Sequence, residues 1–163
     1  MKGFFIHKSD TSSVQPWEYV PAAGGEYKSG QLLSVVDGVA AEIIFEDYSK
    51  IPPYLCMADK TAANGDLIPV TRVSSLHIYE VVVPLDSVGP LNIGDRIKIS
   101  SDGLSLMEGN GPFEIVEFDE TEHGIVVRGR FIDAVATVTP SAAVFAEGVY
   151  DGLGDGAVVG SGE

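Results

Sequence analysis

One stretch of the sequence gathers several side chains with chemical potential. Residues 51–73, IPPYLCMADKTAANGDLIPVTRV, hold the only cysteine of the chain together with a methionine, two aspartates and a lysine. A reactive thiol needs a base or a cation beside it to lower its pKa. Strand alternation in PYLCMA puts Cys56 on one face with Tyr54 and Ala58, and free cysteines are among the most buried residue types. We therefore predict a buried, inert Cys56 between two strands and a turn.

The histidines and carboxylates give no stronger indication of a site. His7, His77 and His123 are far apart, and no HxH, HxxxH or CxxC spacing of the kind used by zinc sites occurs. The run EIVEFDETEH, residues 114–123, carries five carboxylates but lacks the DxDxDG spacing of a dedicated calcium loop. Such charge runs are usually solvated, so a hairpin tip is favoured. We predict no catalytic residue, no metal site and no cofactor, and hence that the protein is not an enzyme.

Charge and composition exclude several classes of partner. The chain has 163 residues, 45% of them hydrophobic, and a net charge of −14 from 24 acidic and 10 basic residues. This charge repels phosphate backbones and anionic membrane surfaces, so we expect no nucleic-acid partner and no membrane partner. The N-terminus, MKGFFIHKSD, has no long apolar segment typical of a signal peptide, and one cysteine cannot form an internal disulfide. We expect a soluble protein made in a cytoplasm.

The elements that must position these residues are strands. Apolar runs flank Asp37-Gly38, Asn64-Gly65 and Asp102-Gly103, and such dipeptides between apolar runs are the strongest short hairpin signal. A fourth pair of runs flanks the acidic turn DETEH, whereas helical periodicity is nearly absent. The pattern predicts an all-β fold, either a small β-barrel or a sandwich.

Two segments lie outside this strand pattern. Residues 7–30 are polar and rich in Ser, Gly and Pro, which predicts an extended N-terminal arm inside a domain of residues 1–131. Residues 132–163 hold five acidic residues and no basic one, which predicts an acidic C-terminal extension. The arm contains Trp17, which either docks on a partner or folds back on its own barrel. Both interpretations stay open on the sequence alone.

Several motifs resemble a known group of virion proteins. MKGFFIHK, YKSGQLLSVVDGVA, PPYLCMADKTAANGDLIPVTRV and IYEV follow one another, and NIGDRIKISSDGLSL, GPFEIVEF and GIVVRGRF come after them. In this order they resemble the capsid decoration proteins, also called head cement proteins, of tailed bacteriophages and prophages. The resemblance covers residues 1–131.

The resemblance implies a structural role on a capsid. A decoration protein is made in the host bacterial cytoplasm, binds the outer surface of the phage capsid as a homotrimer, and stabilises the shell against the pressure of packaged DNA. Its partners would be the major capsid protein and other copies of itself. Trp17 and Tyr19 are the predicted anchors, and the further partner-binding candidates are Tyr27, Phe4 and Phe5.

Other functions remain alternatives. A virion-surface module for a host glycan or receptor would need an aromatic pocket, for which Trp17, Tyr48 and Tyr54 are the candidates. A head-completion or tail subunit is a close relative of the decoration hypothesis. A small β-barrel enzyme would need clustered His, Cys or carboxylate side chains, which the spacings do not support.

Overall fold

The structure, a computed structural model, describes residues 2–9, 16–44 and 50–133. These ranges contain strands, turns and no helix, so the predicted all-β class is confirmed. The strands are β1 (Phe5–Ser9), β2 (Glu18–Pro21), β3 (Gly25–Tyr27), β4 (Leu32–Val36), β5 (Val39–Glu42), β6 (Tyr54–Cys56), β7 (Lys60–Ala62), β8 (Leu67–Arg72), β9 (His77–Val83), β10 (Arg96–Ile99), β11 (Leu106–Met107), β12 (Phe113–Thr121) and β13 (Gly124–Phe131).

The strands form three sheets. A six-stranded sheet in the order β1-β9-β13-β12-β10-β11 curls into a half-barrel. A five-stranded sheet has the order β2-β8-β6-β4-β5, and β3 pairs with β7 in a third, small sheet. The last strand of the five-stranded sheet returns to the end of its first strand, because Ala22 bridges to Ala40 and the Ala23 N–H donates to the Ala40 carbonyl at 2.8 Å.

The predicted hairpins are present. Asp37 and Gly38 both have positive φ, 52° and 83°, as a two-residue type I′ turn requires, and they join β4 to β5. Asp102-Gly103 lies between the paired strands β10 and β11, and the acidic turn joins β12 to β13. The Asn64-Gly65 connection differs in detail. β6 and β8 pair as predicted, but β7 forms within the connection and pairs with β3.

A large core lies inside the curled six-stranded sheet. The Phe131 ring packs edge-on against Tyr79 and Phe113, with centroids 5.2 and 5.1 Å apart, and Phe4 joins this cluster. Such edge-to-face contacts add to the stabilisation that burial of the rings provides. Aliphatic side chains fill the rest of this core: Leu32, Ile43, Leu55, Val81, Val83, Ile97, Ile99, Leu106, Ile115, Ile125 and Val127.

A small core lies on the other face of the five-stranded sheet. Leu32 faces the large core, and its neighbour Leu33 faces the small one, so the first half of β4 is buried on both faces. This explains why β4 begins with a continuous apolar pair instead of alternating with polar residues. The small core consists of Ala22, Tyr27, Leu33, Ala40, Cys56, Ala62, Ile68 and Val70.

The described part of the predicted arm runs along the fold. His7 and Lys8 belong to β1, and residues 18–21 and 25–27 form β2 and β3, so strand pairing holds these residues against neighbouring strands. Residues 10–15 lie outside the described residues. So do residues 134–163 of the predicted acidic extension, whose boundary stays a prediction; the described chain up to Ile132 belongs to one unit.

Candidate partner-binding surfaces

Two of the predicted partner-binding residues are in the interior. Phe4 is 0% exposed and packs on Phe113 and Phe131 in the large core. Tyr27 is 2% exposed, and its hydroxyl donates to the Ala23 carbonyl at 2.6 Å. The prediction for these two residues is therefore corrected, because neither ring has surface left to offer a partner in this fold.

The remaining predicted candidates lie at the surface. Phe5 is half-buried at the start of β1, where it pairs with Glu80. Trp17 and Tyr19 are 52% and 63% exposed although both are large and apolar in body. The role of Trp17 and Tyr19 in partner binding stays a prediction. The side chains around them form the surface that a partner would contact.

Trp17 and Tyr19 belong to an apolar surface built on two strands. β2 pairs with β8 so that Tyr19 lies opposite Pro69 and Pro21 lies opposite Leu67. Cross-strand partners share a face, and alternation extended by one residue before β2 places Trp17 on that face as well. Leu67 is 51% exposed. We call the surface of Trp17, Tyr19, Pro21 and Leu67 the β2–β8 patch.

Polar contacts hold β2 in place beside β8. Glu18 accepts two hydrogen bonds from the Arg72 guanidinium, at 2.7 and 3.1 Å, and this pairing raises the pKa of Arg72 above its usual value. The Thr71 hydroxyl donates to the Pro16 carbonyl at 3.3 Å, just before Trp17. The aromatic side chains are therefore carried on a fixed strand, which lowers the ordering entropy that binding would cost.

The aromatic set suggested for a glycan pocket is not brought together. Tyr48 lies outside the described residues. Tyr54 pairs with Arg72, whose guanidinium lies 5.7 Å from the Tyr54 ring centre, and it packs against the small core. Because Glu18 bonds to Arg72 and strand neighbours alternate, Tyr19 lies on the opposite face of the sheet from Tyr54.

Cys56 has the surroundings of a structural thiol. Its side chain is buried in the small core, as predicted, and the thiol donates to the Ala58 carbonyl at 3.2 Å. Burial raises the pKa of Cys56, which disfavours the thiolate that would act as a nucleophile. That the thiol is inert remains a prediction. Within residues 2–9, 16–44 and 50–133, no group of three or more His, Cys, Asp and Glu side chains is placed to hold a metal ion.

The acidic run of β12 has a structural use that the sequence did not reveal. Arg128 on β13 donates to Glu117 and lies 3.4 Å from an Asp119 oxygen, and its Nε donates to Glu80 at 2.7 Å. His7 lies 3.5 Å from the same Glu80 carboxylate. Strand register is the signal that would have identified this network. Arg128 on β13 lies opposite Glu117 on one neighbouring strand, β12, and opposite Glu80 on the other, β9.

Comparisons with known proteins add no assignment. The described ranges contain no helix with the length and apolar character of a membrane span. Neither a scan against protein-family models nor a search of curated proteins found a match.

Proposed function

We propose that this protein is a structural virion protein that attaches to the outside of a phage capsid through the β2–β8 patch and stabilises the shell. The observation that carries the proposal is the exposure of Trp17 and Tyr19 on a strand fixed in place by Glu18 and Arg72. Scattered exposed apolar residues are ordinary, but aromatic residues grouped on one strand pair are typical of an interaction site. The sequence motifs support the capsid as the partner.

The patch can supply useful binding energy. Full burial of an aromatic side chain removes about 150–250 Å² from water, and roughly half of that remains available at Trp17 and Tyr19. At about 25 cal/mol per Å², each ring would contribute ~2–3 kcal/mol on docking. A homotrimer carries three such patches, so simultaneous engagement raises the overall affinity without any new kind of contact.

Preferential binding to the assembled shell is the proposed mechanism of stabilisation. A protein that binds the assembled capsid, and not its separated subunits, shifts the equilibrium toward the assembled state by mass action. The net charge of −14 keeps a protein present in many copies soluble before it binds. In this role the chain needs no catalytic group.

A host glycan or receptor is the second candidate, favoured by the same exposed rings. Flat aromatic rings such as Trp17 and Tyr19 present stacking surfaces as well as apolar area. The function as a head-completion or tail subunit would use the same patch on a different virion surface. The experiment below separates these partners.

The test is co-sedimentation with expanded capsids that lack this protein. Trp17→Ala and Tyr19→Ala should each weaken binding by about thirtyfold, the usual effect of truncating an aromatic hot spot. Leu76→Ala is the matched control, because Leu76 is 52% exposed and lies outside the patch. Deletion of residues 151–163 should change binding little. Thermal unfolding of every variant separates lost binding from lost folding.

The outcomes decide between the alternatives. Binding that survives both aromatic substitutions and is abolished by the tail deletion would transfer the attachment role to the tail. Binding to tails or glycan arrays but not to capsids would favour the alternative functions. Density for single copies away from three-fold positions of the shell would contradict the homotrimer.

A further inference from the structure

The outer face of the six-stranded sheet collects much of the positive charge of an acidic protein. Lys8, Arg96, Lys98, Arg128 and Arg130 share this face, and they are five of the ten basic residues of the chain. Four carboxylates occupy this face at positions within the described strands: Glu80, Glu114, Glu117 and Asp119. We call this surface the cationic face. The rest of the chain has 20 acidic residues and 5 basic residues, a net charge of −15.

The cations on this face are not all matched. Glu80, Glu117 and Asp119 surround Arg128, so three of the four carboxylates serve one cation. Arg130 lies directly opposite Glu114, which lies opposite Arg96, but no ion pair within 4.0 Å joins these three side chains in the described part of the chain.

Arg130 and Arg96 also have unfilled hydrogen-bonding capacity. The Nε atoms of both side chains are inaccessible to solvent and have no hydrogen-bond partner among the described residues. Arg96 donates from its Nη2 atom to the Ile132 carbonyl at 3.1 Å, whereas the Arg130 side chain forms no hydrogen bond with a described residue. A carboxylate of a partner can approach these guanidinium groups only at their Nη atoms, because the Nε atoms are inaccessible, and charge-assisted hydrogen bonds to carboxylates are the strongest that arginine makes.

We propose that the cationic face binds an acidic surface of a second copy of this chain. Charge complementarity selects this occupant, because each copy carries a cation-rich face and a strong excess of carboxylates elsewhere. Two cationic faces would repel one another, so the contact joins two different surfaces of the two copies. Such head-to-tail contacts close into rings when the rotation allows, which fits the proposed homotrimer. The inference deepens that part of the proposed function and does not involve the β2–β8 patch.

The experiment is sedimentation equilibrium of the full chain over a range of protein concentrations at low and high salt. We expect reversible association at low salt that weakens as salt screens the charges. Arg130→Glu and Arg96→Glu should each raise the dissociation constant at least about tenfold. Each substitution replaces a guanidinium that would bind a carboxylate of the second copy by a carboxylate that repels it. Lys28→Glu makes the same charge change at an exposed residue off this face and should leave association unchanged.

Folding and function are kept separate in this test. Arg130→Gln removes the positive charge but keeps an amide group that can donate a hydrogen bond. It should weaken association less than Arg130→Glu when the two variants have equal thermal stability. A wild-type chain that stays monomeric at all concentrations, or an Arg130→Glu variant that associates like wild type, would overturn the inference. If the wild-type chain is monomeric and still binds capsids, the attachment proposal stands and the self-association proposal fails. If it associates but does not bind capsids, the self-association proposal stands and the attachment proposal fails.

Discussion

The two cores of this molecule differ in content and in what they support. The large core contains four aromatic rings and aliphatic side chains enclosed by a curled sheet. Among the described residues, the small core contains one fully buried aromatic ring, Tyr27, with several alanines and a cysteine, and Tyr54 packs against it from the side. It lies beneath a five-stranded sheet whose first strand carries the β2–β8 patch. We expect a division of labour from this difference: the large core should supply most of the stability, whereas the small core packs against the strands that present exposed aromatic residues.

The most direct test of the difference between the two cores is to remove an aromatic ring from the large core. Phe131 is fully buried between Tyr79 and Phe113. Phe131→Ala should lower the free energy of unfolding by about 3–5 kcal/mol, because it removes buried area and leaves a cavity. For a comparison of equal substitutions, Leu32→Ala on the large-core side of β4 should cost about 4–5 kcal/mol and Leu33→Ala on its small-core side about 2–3 kcal/mol. Urea unfolding measures all three, and equal losses for Leu32→Ala and Leu33→Ala would contradict the division of labour.

The second test uses the ionisation of Tyr79. Burial raises the pKa of Tyr79 to about 12, whereas a tyrosine in the unfolded chain ionises near pH 10. Because the folded state binds this proton more tightly, the stabilisation is complete below about pH 10 and is lost as pH rises through about 12. The free energy of unfolding should fall by up to about 2–3 kcal/mol over this window.

Urea unfolding at a series of alkaline pH values checks the Tyr79 prediction. The pKa values of Tyr27 and Cys56 are also raised by burial, so their contributions have the same sign. Tyr79→Phe should flatten the dependence more than Tyr27→Phe. A stability that rises between pH 10 and 12 would show that the buried tyrosine does not control the alkaline limit.

The third test weakens the small core at one hydrogen bond. The Tyr27 hydroxyl bonds to the Ala23 carbonyl and lies 3.4 Å from the Ala40 carbonyl, so it helps to hold β3 beside β5. Tyr27→Phe should cost about 0.5–1.5 kcal/mol, the usual net value of one such bond. Hydrogen exchange should accelerate at the amides of β3 and β5 more than in β9 and β13. Uniform acceleration would argue that the two cores do not open separately.

The smallest stability effect is expected at the surface patch. Trp17→Ala and Tyr19→Ala should each change the free energy of unfolding by no more than about 0.5 kcal/mol, as exposed substitutions usually do. Chemical denaturation measures this directly. A loss above ~2 kcal/mol would mean that the rings serve their own fold, which is the second interpretation that the sequence left open for Trp17.

Local residue patterns determined the class of the fold and most of its hairpins. Asp37-Gly38 predicts a two-residue turn because both residues tolerate positive φ, and alternation in HIYEVVV predicts a half-buried strand. The burial of Cys56 could be expected for similar reasons. These properties depend on near neighbours in the chain, where the chemistry of each residue limits the backbone directly.

Only the tertiary structure decided which aromatic side chains are exposed to solvent. Phe4 and Phe5 are adjacent, and Tyr19 and Tyr27 lie in the same polar segment, yet the fold buries Phe4 and Tyr27 and exposes Tyr19. The cationic face likewise depends on register between strands distant in sequence, which places Arg96, Glu114 and Arg130 in one row. The composition shows only that these residues are present. Pairing between strands that are distant in sequence determines which of them share a surface, because the register of each strand fixes the face on which a side chain lies.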